Sequence, residues 1–247
     1  ASCRLLVRQM RTWNALLLIY CEIDVRYPIT RWRKKHFAHQ LSATEVEDAE
    51  DSFRQFPPLV EELTGARAAI DYAIVHVERP LDSVSRVMSV GFWPGPDDTR
   101  EELTRFAPPG HFDSIFVFWP QTDLATGRGI PAAGWGLGMG ATNETNGATY
   151  ATVANAPREV WQRPRVGEVW LHEWLHGVCH HFAQRGHVMP DGDADGGGRH
   201  GYVQSPTTGW SDYYRDLMNG RVQEDGHQKG VATIAWEQTN PRSVLAV

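Results

Sequence analysis

Gly167-Glu168-Val169-Trp170-Leu171-His172-Glu173-Trp174-Leu175-His176-Gly177 is the stretch on which the reading of this chain turns. It holds the pattern His-Glu-x-x-His at His172, Glu173 and His176. On a helix, residues four apart lie one above the other, so both imidazoles can reach one ion. Glu173 is rotated by about 100° from His172, which places it beside such an ion rather than on it. A carboxylate there can take a proton from water held on the metal. Two neutral imidazoles suit zinc, and a catalytic zinc has three protein ligands and an open position.

The immediate flanks argue against an ordinary surface helix. Val169, Trp170, Leu171, Trp174, Leu175 and Val178 make the helix mostly buried. Two imidazoles and a carboxylate are costly to bury without partners. Gly186 is a natural C-terminal cap for this helix.

Upstream, residues 15–25 (ALLLIYCEIDV) read as a strand, apolar at first and then alternating. Ser42-Ala43-Thr44-Glu45 forms a capping box that opens a helix, with an interruption expected at Pro57-Pro58 and a second piece over residues 59–63. Residues 68–77 form a second strand, 97–106 a short helix and 112–119 (FDSIFVFW, closed by Pro120) a third strand. The glycine-rich stretch 127–147 has no Lys-Ser/Thr and is no phosphate loop; it reads as a flexible loop beside the site. Residues 148–154 read as a short strand, the edge nearest the motif helix.

Composition bounds the rest. A chain of 247 residues that is 41% hydrophobic and 22% charged is long enough for a sizeable core. A net charge of −6 argues against a nucleic-acid surface, and no apolar run is long enough to span a bilayer. The basic run Arg31–His36 (RWRKKH) reads as a solvated patch. Cys3, Cys21 and Cys179 are too few for a disulfide framework, although Cys3 with Cys21 is sterically open as one bridge. Cys179 reads as a small buried residue, and the ten tryptophans mainly as packing. Asn143-Glu144-Thr145 is a glycosylation sequon that matters only in a secretory pathway.

The motif helix and the order of elements before it resemble the zincins, zinc metallopeptidases that share this helix. The resemblance implies an α+β fold: a twisted mixed sheet backed by a long helix, then the motif helix, then a smaller irregular C-terminal part. It implies His172 and His176 as zinc ligands, Glu173 as general base, a peptide or protein substrate held by strand addition, and a lean toward secretion. The chain departs from the metzincin pattern: Gly177 directly follows His176, and Phe182 stands where a third histidine would be. Residues 1–186 would form the main part, and 187–247 would supply the third ligand.

Reach narrows that ligand. His180 lies about 12 Å along the axis from His172, too far for one ion. His180 and His181 read as residues behind the site or at the surface. From Gly186 the chain must run back about 15 Å, so His187 comes too early. Asp191, Asp193, Asp195 and His200 remain, with Asp195 preferred and His200 next. Asp191-x-Asp193-x-Asp195-Gly196 is also half of a calcium loop, with Tyr202 where a glutamate belongs, so calcium stays open beside zinc. Tyr202, Tyr213 and Tyr214 are candidates to stabilise an oxyanion, and Met218 for a place beneath the metal.

Two functions fit these residues. One is a zinc-dependent hydrolase, a metallopeptidase that uses Glu173. The other is a non-catalytic glycan- or peptide-binding module with structural metal sites. Oligomeric state is not readable from the sequence.

Overall fold

A computed structural model describes residues 11–87, 90–162 and 164–244. Cys3, and with it the Cys3–Cys21 pairing, lies outside them. The central strand is β1 (Arg11–Tyr20), whose run of apolar residues is explained by burial on both faces. Trp13, Ala15, Leu17 and Ile19 point to one core, and Leu16, Leu18 and Tyr20 to another. The chain leaves the sheet at Cys21, so the strand expected over residues 15–25 is two elements. The second is β2 (Glu22–Thr30), which pairs with β3 (Arg33–Gln40) as a separate hairpin.

Helix α1 (Ala43–Thr64) opens with the expected capping box, Ser42 with Glu45, and closes at Gly65 in the left-handed region. It does not stop at Pro57-Pro58. Two backbone donors are lost there. The apolar stripe of Phe53, Phe56, Leu59, Val60 and Leu63 nevertheless continues across the prolines, and its burial holds the helix as one piece. Strand β4 (Ala68–Val77) then pairs parallel with β1 over its whole length.

Hairpin β5 (Ser85–Val87) with β6 (Gly91–Trp93), and helix α2 (Arg100–Phe106), lead to β7 (Ser114–Trp119). Strand β7 is parallel to β1 on the side opposite β4. After the small hairpin β8 (Thr122–Asp123) with β9 (Arg128–Gly129), the glycine-rich stretch forms β10 (Gly136–Met139) rather than only a loop. Strand β11 (Thr149–Ala154) lies parallel to β7, and β10 lies antiparallel to β11. The sheet order is β10-β11-β7-β1-β4. The edge strand on this side is therefore β10, with β4 at the other edge, and the strand at 149–154 sits inside the sheet.

Helices α3 (Arg158–Gln162) and α4 (Glu168–Ala183) follow. Helices α1 and α4 cover one face of the sheet, giving a mixed α+β fold. The motif helix α4 ends as expected: His187 N–H bonds Phe182 O, Gly186 N–H bonds Ala183 O, and Gly186 has φ +89°. That is a Schellman motif.

Two 3₁₀ turns, Asp193–Asp195 and Gly197–His200, precede α5 (Ser211–Leu217), the hairpin β12 (Val222–Glu224) with β13 (His227–Lys229), and α6 (Ala235–Gln238). Among the described residues, 187–244 add no strand to the main sheet. Their buried side chains Tyr213, Leu217 and Trp236 join the core of α1 and α4. Trp236 stacks on Trp174 with centroids 5.9 Å apart and packs against Trp13 at 5.8 Å. Among the described residues, no helix is long and apolar enough to cross a membrane.

Candidate metal centre

The middle turns of α4 lie directly against the glycine face of β10. A Cβ built at Gly136 would overlap the Glu173 side chain, and one at Gly138 would overlap the Glu173 carbonyl and come within 2.7 Å of His176 Cβ. From the other side, a Cβ at Gly177 would stand 2.6 Å from Met139 O. Glycine on both partners lets helix and strand backbones meet, as no other residue pair would. This explains Gly177, the residue that departs from the metzincin spacing.

His172 and His176 project from α4 with ring centroids 4.9 Å apart. Each has its Nδ1 tied to an oxygen: His172 to the Tyr214 hydroxyl at 2.9 Å, His176 to Asp193 Oδ1 at 2.6 Å. Both Nε2 atoms face Asp195, at 3.4 Å from His172 and 3.8 Å from His176. The three ligand atoms lie within 4.8 Å of one another, and no other such group of three or more occurs among the described residues. Imidazoles oriented through Nδ1 by an oxygen partner are the usual outer shell of a histidine-bound metal. Two such imidazoles and a carboxylate fit zinc with a position open.

The alternatives separate in space. His200 Nε2 meets Asp191 O at 2.9 Å and has Glu224 as its acidic neighbour at 3.6 Å. Asp191 turns away to Arg199, Asp193 meets His176 Nδ1, and Asp195 faces both Nε2 atoms, so the three loop aspartates form no ligand group of their own. They do not converge as calcium-loop ligands would. The Tyr202 hydroxyl donates to Asp216 at 2.7 Å and that of Tyr213 donates to Asp193 O, which leaves Tyr214 as the tyrosine of the three in the site. His181 is neither behind the site nor at the surface but in the core, with Nε2 unpartnered. Met218 is buried under Trp236, whose indole N–H donates to the Met218 carbonyl.

Glu173 is buried, and its Oε1 lies 3.9 Å from His172 Nε2. Burial raises its pKa, partly opposed by His172 and His176, so its carboxylate is a stronger base than an exposed one. Burial disfavours a charged His176, but the bond and charge of Asp193 outweigh it and raise that pKa. Asp195 is held low, chiefly by its hydrogen bond with His172.

These groups line a cavity of about 570 Å³ that is also walled by Gly136, Leu137 and Gly138 of β10 and by Trp135 and Trp210. A second cavity of about 460 Å³ adjoins it, with Trp135, Pro164 and Gln204 lining both, and the two together are termed the groove. Seven of the ten tryptophans are core residues, and two of the other three line this groove. Sequence reasoning missed β10 and its glycines. The signal was there, because Gly134, Gly136, Gly138 and Gly140 alternate with Trp135, Leu137 and Met139 at the strand period of two. The chain matches no protein-family model, no curated protein and no solved structure.

Proposed function

We propose that this groove is the active site of a zinc-dependent hydrolase that cleaves peptides. The observation that carries the reading is the convergence of His172, His176 and Asp195, with both Nδ1 atoms already held, beside the buried Glu173. Zinc held by His172, His176 and Asp195 would supply a Lewis acid able to polarise a carbonyl and to make water acidic near neutral pH. Glu173, raised in basicity by burial, accepts the proton from the attacking water and returns it to the leaving nitrogen. Tyr214 orients His172, and Asp193 orients His176. Strand β10 ends the sheet beside the cleft, so its outer edge is available for an extended peptide to pair with.

Elemental analysis of wild type and Asp195→Ala is the first test. One zinc per chain, lost in the variant, is expected; zinc kept in Asp195→Ala would remove that ligand. Glu173→Gln should keep zinc and lose hydrolysis.

The rival reading, a glycan- or peptide-binding module with structural zinc, is favoured by Trp135 and Trp210 in the groove. It requires Glu173→Gln to leave ligand binding and function unchanged.

A further inference from the structure

The hairpin β2–β3 is amphipathic at its base and of a different character at its tip. Ile23, Val25 and Tyr27 alternate into the core. Asp24 N–H and Glu22 O pair with Leu81, and the Tyr27 ring packs on Phe92 at 5.2 Å. Beyond Tyr27 the alternation stops, and every residue from 28 to 36 is exposed. Among them are Ile29, 48% exposed, and Trp32, 82% exposed, the most exposed aromatic residue of the described chain.

Charge is segregated in the same place. Residues 25–35 carry Arg26, Arg31, Arg33, Lys34 and Lys35 and no acid, in a chain of net charge −6. The one ion pair on the hairpin is His36 with Asp24, so these five cations have no acidic partner among the described residues. The tip is also ordered by its own bonds. Thr30 Oγ1 accepts the N–H groups of Trp32 at 3.3 Å and Arg33 at 3.1 Å, and the Arg31 guanidinium lies 5.0 Å from the Trp32 ring centroid.

We propose that this hairpin docks the protein on the surface of an anionic lipid bilayer. Trp32 and Ile29 enter the interfacial layer while the five cations stay at the level of the headgroup phosphates and carboxylates. A tryptophan ringed by cations suits the boundary between water and acyl chains, where its apolar body and N–H are both accommodated. A polysaccharide would use the cations but offer no apolar phase to Ile29. The tip is a projecting turn, which suits a soft surface. This reading is independent of the hydrolase proposal, since no residue of the hairpin lines the groove.

The test is flotation of the full chain with vesicles of phosphatidylcholine alone and with roughly a quarter phosphatidylserine. Binding to the anionic vesicles only, weakened by salt, is expected. Arg31→Gln with Lys34→Gln should weaken it roughly 25-fold, at about fivefold per cation. Ile29→Ser with Trp32→Ser should weaken it at unchanged charge, and thermal unfolding of each variant would show that the fold is intact. No binding to either vesicle, or equal binding to both, overturns the proposal. Full binding by the Ile29→Ser, Trp32→Ser protein overturns it as well, and retention on heparin without vesicle binding would reassign the hairpin to soluble polyanions.

Discussion

Helix α4 carries His172 and His176 in its middle turns and His181 in its last, and it treats them in opposite ways. The first two have an oxygen on Nδ1 and a shared carboxylate at Nε2. His181 is more deeply buried, its Nε2 meets nothing, and its ring packs against Trp13 at 5.8 Å. Burial, helped by nearby Arg185 and His180, depresses its pKa to about 3. Depth is therefore a poor guide to which histidines are placed to hold an ion. The partner on the second ring nitrogen separates a prepared ligand from a core residue.

The comparison can be broken first at Glu173. If the middle turns carry chemistry, Glu173→Gln should lower hydrolysis by about 10²–10⁴-fold, the usual worth of a general base, with zinc content unchanged. Next comes the strand that supports those turns. Gly138→Val would push a side chain into the Glu173 carbonyl and His176 Cβ. An overpacked contact costs about 1–3 kcal/mol, so thermal unfolding should fall by several degrees, with activity falling further than stability explains. Removing an orienting partner should cost less. Asp193→Ala is expected to weaken zinc binding about 10–100-fold, measured by competition with a chelator.

The smallest effect lies at the C-terminal end of the helix. Above pH 6.5 His181 is neutral folded or unfolded and contributes no pH dependence. Below it the unfolded chain takes up a proton that the folded one refuses, down to about pH 3. Stability should fall through that window by up to about 1.4 kcal/mol per pH unit. His181→Phe should flatten this slope in urea unfolding at several pH values and leave zinc binding as it was. A change in zinc affinity would join His181 to the site after all.

Much of this layout was readable because it is periodic or bounded by distinct caps. The motif helix with its Gly186 ending, β4, the capping box at Ser42 and the aromatic run of β7 all show in the letters. Chain reach after Gly186 narrowed the third ligand to Asp191, Asp193, Asp195 and His200, of which the fold brings Asp195 to His172 and His176. Other features depend on tertiary contacts that no local window holds. Pro57 and Pro58 look like a stop until the packed stripe on both sides of them is seen. The break at Cys21 is hidden because a doubly buried strand runs into an alternating hairpin without a turn residue between. Strand β10 escaped for a different reason, since its pattern is carried by missing side chains. His181 could not be told from its neighbours, because one residue type fills both roles on one helix.

The bare contact between β10 and α4 works as a gauge. Side chains between two elements can change rotamer and let the gap drift, but here backbone rests on backbone. A strand added to the outer edge of β10 would lie about 4.8 Å beyond it, the ordinary interstrand spacing. The distance from that strand to Glu173 is then set by peptide geometry alone, and replacing apolar residues elsewhere in the core should leave it unaltered.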